Sequence, residues 1–525
     1  MSRSEIPRGA GAGHQAGSQP ASPRLTRAQA DRAAGVLLGL ACGDALGAGY
    51  EFGPPRIHGE DVSMGGGGGF GWEPGEWTDD TSMAIAIAQT AATPAGLRSD
   101  GALDTITARF VIWAGEAKDV GVQTGHVLSA VRWNPTAAAA TAAAADWFRR
   151  TGKTGNGSLM RTAPVALAYL NDPAGLDKTA HAVSALTHGD TEAGEACALW
   201  CQAIRHAVLH GSFDGLWAAV SRLPADRARV WASRLREAES VEPHQIEHNG
   251  WVVAALMAAW SAITSTPVPA DDPARGSFPG SHLRLALDRA VRAGHDTDTV
   301  AAIAGALLGA RWGASAVPLA WRRILHGWPG LRSRDLIALG TLTARSGRPD
   351  RVGWPLLPVI DYTDKGDLSM LAVHPHDPGV ILGGAGAVRD LPAGVDAVVS
   401  LCRLGAAEAP ANGVRPEDHA EAWLTDSSRD DNPNLDLVLT DAADTVAALR
   451  AEGRTVLLHC VQAITRTPTV AAIYAARHRG VSARQALHDI RAVLLAAAPS
   501  PAYLDALSRL GYLCGAQERS RSPPL

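Results

Sequence analysis

The sequence has few cysteines and little excess charge. Its six cysteines are scattered over 525 residues without a C-x-x-C pair, which excludes a disulfide scaffold and a thiolate zinc site and fits a reducing cytosol. The 48 Lys and Arg residues nearly balance the 53 Asp and Glu residues, and the net charge of −5 gives no general attraction to nucleic acid or to an anionic membrane. We therefore expect a cytoplasmic protein without nucleic-acid or membrane partners.

Long apolar runs are also missing. No uninterrupted apolar stretch reaches the roughly 20 residues that span a bilayer. The first 26 residues lack the apolar core of a secretory signal. We predict a disordered arm over residues 1–26 and a disordered tail over residues 516–525.

A chain of this length is expected to form two or more domains. Residues 27–345 are rich in Ala and Leu at helical spacing, and they predict an all-α domain packed closely through Gly and Ala faces. Over residues 350–515 the short runs "GVILGG", "DAVVSLC" and "TVLLHC" alternate with helical stretches, which predicts a smaller α/β domain.

Two clusters of oxygen-bearing side chains stand in front of apolar helical patterns in the first domain. The clusters are Thr78, Asp79 and Asp80 in "GEWTDDTSM", and Asp296, Asp298 and Thr299 in "AGHDTDTVAAIAG". Helix capping is the simple interpretation of each cluster alone, but one residue would suffice for a cap. If the clusters converge, they form an oxygen-rich cage suited to Mg²⁺ or Mn²⁺.

Five motifs in a fixed order point to a family. "GLACGDALGAGYEF", "WTDDTSM", "GNGSLMRTAPVAL", "LTHGD" and "AGHDTDTVAAIAGALLGA" together resemble the ADP-ribosylglycohydrolases, which remove ADP-ribose from modified protein side chains. The resemblance implies that the six clustered residues ligate two divalent metal ions. It also implies that Glu51 lies near the scissile bond, with Asp119 as a weaker candidate there. The residues implied to line the ADP-ribose pocket are Gly155, Asn156, Gly157, Ser158 and His188.

Several of these residues also have simpler interpretations. The Gly-Asn-Gly turn can present backbone N–H groups to a diphosphate, or it can be an ordinary tight turn. His188 alone fits a structural role, and Asp44 fits a buried hydrogen-bonding residue equally well. His295 departs from the family, in which glycine is usual before "DTDT", so the choice of substrate is open.

The second domain contains a Cys-x5-Arg motif between a predicted strand and a predicted helix. Cys460 and Arg466 occupy its ends, and Thr467 and Pro468 begin the helix. The positive helix end would hold an anion and stabilise a Cys460 thiolate. The pattern resembles the Cys-based tyrosine and dual-specificity phosphatases. By that resemblance Cys460 forms a phosphocysteine, Arg466 binds the phosphoryl group, Thr467 assists the leaving thiolate, and His459 tunes it.

The general acid of that family lies on an upstream loop, where Asp426, Asp430 and Asp431 are candidates. We prefer Asp426 because it follows "AWLT", which we predict to be a strand. Ala463 replaces the usual glycine and would be strained at positive φ, and Ile464 and Thr465 add bulk. The domain is therefore either an active phosphatase or an inactive phosphate-binding or partner-binding module.

The leading hypothesis is a bifunctional hydrolase that cleaves the glycosidic bond of ADP-ribose and also phosphate monoesters. Its partners would be an ADP-ribosylated protein or an ADP-ribose-containing small molecule, and a phosphorylated protein. One alternative keeps only the first activity. Another makes the whole chain a metal-stabilised ADP-ribose-binding protein, although a binding module does not need a hydrolytic metal pair.

Overall fold

The computed structural model describes residues 24–56, 59 and 61–513. The predicted disordered tail lies outside these residues, and so does the predicted disordered arm apart from residues 24–26. Arg27, where the arm was predicted to end, is the first residue of a helix.

Within the described residues, the first part of the chain is helical up to Ala344, with one short β-hairpin. Its helices are α1 (Arg27–Gly47), α2 (Asp79–Ala91), α3 (Ala102–Ala114), α4 (Val122–Val131), α5 (Ala137–Thr151), α6 (Ala163–Ala168), α7 (Pro173–Ala185), α8 (Thr191–His210), α9 (Gly215–Val220), α10 (Ala225–Ser240), α11 (Val252–Thr264), α12 (His282–Val291), α13 (Thr297–Trp312), α14 (Leu319–Ile324) and α15 (Ser333–Ala344). The hairpin consists of β1 (His326–Gly327) and β2 (Leu331–Arg332). The predicted all-α domain is confirmed.

Helices α1 and α13 form the centre of this domain and run antiparallel in backbone contact. Every fourth residue on one face of α1 is glycine, so the stripe Gly35, Gly39, Gly43, Gly47 carries no side chain. A Cβ on these glycines would collide in turn with Gly309, Gly305, Ala301 and Asp298 of α13. The contact thus ends at Asp298, which is held against Gly47.

Helix α1 is long and apolar enough, with its extension to Tyr50, to cross a membrane by length and composition alone. However, 89% of its apolar window is buried inside the domain. An all-round apolar surface is what a core helix needs, and α1 is a core helix here.

The second part of the chain forms an α/β domain around a five-stranded sheet, as predicted. Its elements are β3 (Leu371–His374), β4 (Asp377–Gly383), α16 (Gly386–Arg389), β5 (Ala397–Ser400), β6 (His419–Glu421), α17 (Leu435–Ala451), β7 (Val456–His459), α18 (Arg466–His478), α19 (Ala483–Val493) and α20 (Pro501–Arg509). The strand order is β3-β4-β7-β5-β6, with β3 antiparallel to β4 and the other neighbours parallel.

The two faces of the sheet bury alternate residues of each strand. Val456 and Leu458 of β7 pack with helices α17 and α18, whereas Leu457 packs with Val398 on the opposite face. The carboxyl end of β7 leads directly to Cys460, at the edge where ligands of parallel sheets bind.

The prediction that "AWLT" forms a strand is wrong. Strand β6 ends at Glu421, and residues 422–425 are irregular. The reason lies at the domain interface, where Trp423 turns out of the sheet to pack edge-on against Trp354, with ring centroids 4.8 Å apart. The next element also contacts the helical domain, because Asn434 Nδ2 donates to the Trp312 carbonyl and to Ser315 Oγ, both at 2.8 Å.

Gly43→Ala tests the backbone contact between α1 and α13. Alanine favours a helix, but its methyl group would enter the Ala301 backbone, so we expect the free energy of unfolding to fall by about 1–3 kcal/mol. The control is Gly125→Ala in α4, where an added Cβ would meet Val120 at an ordinary 3.5 Å. That change should be neutral or raise stability by up to about 1 kcal/mol. Equal effects of the two changes in urea unfolding would contradict the close contact.

Candidate functional sites

Three helix ends bring carboxylates together in the helical domain. Asp44 lies in the last turn of α1, Asp80 in the first turn of α2 and Asp298 in the first turn of α13. All three are buried, and one oxygen from each lies within 4.8 Å of the others. The two predicted clusters therefore converge, although their residues are far apart in the sequence.

A second group of carboxylates adjoins the first. Glu51, Asp296 and Asp298 also bring one oxygen each within 4.8 Å of one another, so Asp298 belongs to both groups. The Thr78 hydroxyl lies 3.2 Å from Asp80 Oδ2 and 3.4 Å from Asp298 Oδ2. One hydroxyl donates one hydrogen bond, so it cannot compensate both charges.

Helix capping by the two clusters is weak. Among the described residues, the N-cap residues Thr78 of α2 and Asp296 of α13 make no side-chain capping hydrogen bond of standard geometry. Asp44 caps α2 instead, because it accepts from the backbone N–H groups of Thr78 and Thr81, each at 2.9 Å, and from the Thr81 hydroxyl at 2.6 Å. Capping alone therefore does not account for the two clusters, and Asp44 is the buried hydrogen-bonding residue that the sequence left undecided.

Burial and mutual repulsion disfavour the charged forms of these acids. Burial, followed by the charges of Asp296 and Asp119, raises the pKa of Glu51 to about 9. Burial, followed by Asp119 and Asp44, raises the pKa of Asp79 to about 8. The pKa values of Asp80 and Asp298 lie well above the usual range, mainly because of burial.

The donor set fits divalent cations. Asp80 Oδ1 and Asp298 Oδ1 are buried and have no hydrogen-bond partner among the described residues. Carboxylate and hydroxyl oxygens are the ligands that Mg²⁺ and Mn²⁺ prefer, and a cation would offset the repulsion between the acids. Thr299, the last predicted ligand, is buried one residue beyond Asp298, and its hydroxyl lies 3.9 Å from Met160 Sδ. Burial raises the pKa of Asp296, and the neighbouring Thr299 side chain and backbone N–H partly offset this rise.

The predicted Gly-Asn-Gly turn adjoins the acidic cluster. Asn156 Nδ2 donates to Asp296 Oδ2 at 2.8 Å and to the Asn249 carbonyl at 3.0 Å. The Asn249 side chain in turn accepts from the Asp296 backbone N–H at 3.2 Å and donates to the Gly294 carbonyl at 2.9 Å. Asn249 was missed by the sequence analysis, since an asparagine in "HNGW" has no signal beyond a turn.

The remaining predicted pocket residues differ in position. His188 is buried beneath Gly155 and Gly157, and burial holds the pKa of its imidazole well below the usual range. The Ser158 side chain is fully buried and accepts from the Ser184 hydroxyl at 3.0 Å, so it belongs to the core beneath the turn. Asp119 is half-buried, and its charge acts on Glu51.

Backbone strain accumulates beside the acidic cluster. His295 is exposed with φ of 59°, and Phe52 has φ of 63°. The two are joined by a hydrogen bond from the Phe52 N–H to the His295 carbonyl, 2.6 Å long. Positive φ suits glycine, which explains why a non-glycine residue at 295 is unusual. Such strain collects at functional sites.

The second site lies in the loop between β7 and α18. Cys460 and Arg466 are both buried, and Arg466 Nη1 donates to the carbonyls of Leu424 at 2.9 Å and Leu401 at 3.3 Å. Arg466 Nε and Thr467 Oγ1 are buried without a hydrogen-bond partner among the described residues. Ala463 has φ of 57°, the strained conformation expected where glycine is absent.

Of the three candidate acids, Asp426 acts electrostatically on Arg466 of this loop. Although burial lowers the pKa of Arg466, acidic neighbours including Cys460 and Asp426 leave it above its usual value. Asp431 instead pairs with Arg27 at 3.3 Å, and Asp430 is exposed in a short helical turn. The carbonyl of Thr425, next to Asp426, accepts from the Tyr503 hydroxyl at 2.8 Å.

A buried hydrogen-bond chain behind Cys460 was not predicted. Ser400 Oγ lies 2.7 Å from His419 Nε2 and 2.6 Å from His459 Nε2. His419 Nδ1 accepts from the Ala411 N–H, so its Nε2 donates to Ser400 and the Ser400 hydroxyl donates to His459. His459 Nδ1 is then free to donate to the Cys460 carbonyl at 3.2 Å. Burial lowers the pKa of His419 to about 4 and that of His459 to about 3, which keeps both rings neutral.

Comparisons with known proteins match the helical domain. The family model described as ADP-ribosylglycohydrolase matches residues 25–349. The ADP-ribosylarginine hydrolase Tri1 of Pseudomonas putida (strain GB-1) is 32% identical over 317 residues, 57% of this chain and 75% of that protein. The ADP-ribosyl-(dinitrogen reductase) glycohydrolase of Rhodospirillum rubrum is 29% identical over 300 residues, 55% of this chain and 89% of that protein.

The second domain lies beyond this family match. A crystal structure of human DUSP28 covers 27% of this chain and 94% of its own, at 23% identity and a TM-score of 0.24. The second domain is therefore interpreted from its own residues.

The acidic cluster predicts how stability without metal depends on pH. Acids whose pKa is raised in the folded state hold protons that the unfolded chain has lost. Their contribution to stability is therefore fully present below pH ~4 and is lost as pH rises through the folded values. With Glu51 near 9 and Asp79 near 8, we expect the melting temperature in EDTA to fall between pH 6 and pH 9.

Glu51→Gln removes one of these titrating groups and should flatten this fall in thermal melts. Asp100→Asn, at an exposed aspartate of the same domain, should leave it unchanged. A wild-type melting temperature that rises over this pH range in EDTA would contradict the raised pKa values.

Proposed function

The chain belongs to the ADP-ribosylglycohydrolase family through residues 25–349, and we propose that its helical domain hydrolyses the glycosidic bond between ADP-ribose and a modified protein side chain. The observation that carries the proposal is the buried carboxylate cluster, in which two oxygens have no hydrogen-bond partner among the described residues. ADP-ribosylarginine is the preferred substrate, because the 32% identical relative is named for that linkage.

Two divalent ions would be held by the two predicted clusters. The proposed ligands are Thr78, Asp79, Asp80, Asp296, Asp298 and Thr299. When bound, Mg²⁺ or Mn²⁺ would orient ribose hydroxyls and lower the pKa of a water molecule, as divalent metals do in other hydrolases.

The chain's own residues supply orientation and proton transfer. Asn156 and Asn249 fix Asp296 through their hydrogen bonds, as outer residues do for metal ligands. Glu51 is only partly buried at the edge of the cluster, so its carboxyl can reach the bond to be cleaved and exchange a proton there. Asp119 lies within its electrostatic range and assists that exchange.

The test measures free ADP-ribose released from an ADP-ribosylarginine peptide by the full chain, with Mg²⁺ or Mn²⁺ and with EDTA. We expect metal-dependent release, and we expect Asp298→Ala to reduce turnover by about 100-fold or more, since residues that merely orient metal ligands cost 10–100-fold. Asp100→Ala is the matched control at an exposed carboxylate.

Unchanged turnover of Asp298→Ala would contradict the metal cluster. A parallel ADP-ribosylserine peptide tests the linkage. Release from serine alone would overturn arginine as the preferred substrate and leave the hydrolase proposal standing.

For the second domain we propose hydrolysis of phosphate monoesters at Cys460. The supporting observation is that Arg466 Nε and Thr467 Oγ1 are buried at the start of α18 without a hydrogen-bond partner in the described part of the chain. An oxyanion would satisfy them there and interact with the helix dipole. Cys460 would attack phosphorus, and the ester P–O bond would break as Asp426 gives its proton to the leaving oxygen. Water would then attack the phosphocysteine and release phosphate, regenerating the thiolate with Thr467 assisting.

The hydrolysis of p-nitrophenyl phosphate in EDTA tests this second activity. We expect Cys460→Ser to abolish it and Asp426→Asn to reduce it by about 10²-fold, the scale of general acid catalysis. The matched control Asp430→Asn, on the same loop, should have no effect. Phosphate binding without any hydrolysis would overturn the phosphatase and support the alternative, an inactive phosphate-binding module.

A further inference from the structure

A cavity of about 190 Å³ lies between the two domains, and its lining includes His419 of the hydrogen-bond chain behind Cys460. One wall comes from residues 322–335 of the helical domain, which include the hairpin and the start of α15. The other wall comes from residues 409–421 of the second domain. No step of either proposed reaction uses this interdomain cavity.

Four arginines of the helical domain line the cavity, and two of them are neutralised by the second domain. Arg323 pairs with Glu452 at 2.8 Å, and Arg334 pairs with Glu421. Both also donate to backbone carbonyls across the interface, Arg323 to Glu417 and Arg334 to Leu404. These two arginines hold the domains together.

The other two arginines are only partly satisfied by the residues that the structure describes. Arg322 Nε and Arg332 Nη1 are buried and have no hydrogen-bond partner among the described residues. The Arg322 guanidinium makes no hydrogen bond or ion pair with any described side chain, and only stacks 5.8 Å from the Trp423 ring. Arg332 reaches Glu417 at 3.8 Å.

The carboxylates around Arg322 are engaged elsewhere. Glu421 is bound by Arg334 and by the Trp423 indole, Asp441 accepts from the Leu319 N–H, and Asp31 accepts from Ser315. Burial lowers the pKa of Arg322, yet a guanidinium keeps its charge in a protein. The charges of these carboxylates still act on Arg322, but none of them makes an ion pair with its guanidinium, so this partly buried cation has no direct partner among the described residues.

The start of α15 lies at the same cavity, where the Asp335 carboxylate accepts from the Arg332 backbone N–H at 2.9 Å. Arg334 and Asp335 belong to the first turn of this twelve-residue helix, whose positive end adjoins the lining arginines. We infer that the interdomain cavity binds a small oxyanion of the phosphate type, either inorganic phosphate or a phosphate monoester, through Arg322 and Arg332. Planar guanidinium groups suit paired phosphate oxygens, and the volume admits one small ligand.

The test must exclude the other places where phosphate can bind. Arg466→Met removes the proposed phosphate pocket at Cys460, and EDTA removes metal-bound phosphate, so both are used with the full chain. Calorimetric titration of inorganic phosphate into this variant should show one site per chain. Adding Arg322→Met should weaken that site by at least about tenfold.

The matched control adds Arg311→Met, which removes an arginine stacked on Trp312 outside the cavity and should leave phosphate binding unchanged. Hydrogen exchange gives a local readout, since phosphate should protect residues 319–335 and 409–421. Arg332→Met serves if Arg322→Met does not fold, and it should also weaken binding. O-phosphoserine in place of phosphate distinguishes a monoester from the free ion.

Absence of phosphate binding to the Arg466→Met chain would overturn the inference, and so would binding unaffected by both Arg322→Met and Arg332→Met. Neither result would bear on the two proposed hydrolase activities, because this variant is studied without metal and without the Cys460 pocket.

Discussion

The backbone contact between α1 and α13 sets the geometry on which the helical domain depends. Side chains are absent at every fourth residue of α1, so the two helices approach until a methyl group would collide. The last contact places Gly47 against Asp298, and the Thr297 hydroxyl bonds to the Gly47 carbonyl at 2.9 Å. The distances between Asp44 and Glu51 on one side and Asp298 on the other follow from this close packing.

The close packing of α1 and α13 holds the carboxylates of the acidic cluster together against their mutual repulsion. Buried acids with raised pKa values are held by apolar burial and by hydrogen bonds from elsewhere, such as the Asp44 cap on α2. Because Asp44 of α1 caps α2, Asp80 in the first turn of α2 is not needed for capping and keeps one oxygen without a hydrogen-bond partner among the described residues. Carboxylate oxygens without hydrogen-bond partners among the described residues lower the local stability, and they remain available to a ligand.

Sequence patterns predicted the features that reside in contiguous residues. Helical periodicity gave the first domain, three apolar runs gave β4, β5 and β7, and the absence of glycine at Ala463 predicted a strained turn. Features that depend on distant partners were missed. Asn249 acquires its role through Asn156 and Asp296, and Ser400 through two histidines, 19 and 59 residues away. The residues "AWLT" have strand propensity, but Trp423 is better buried at the domain interface.

The two ends of helix α13 belong to different parts of the structure. Its first turn carries the acidic residues, and the carbonyl of Trp312 at its last turn accepts from Asn434, which begins α17 of the second domain. A helix of 16 residues is a stiff rod of about 24 Å. One rigid helix therefore carries acidic residues in its first turn and a contact with the second domain at its last turn, and the length of α13 sets the spacing between the two.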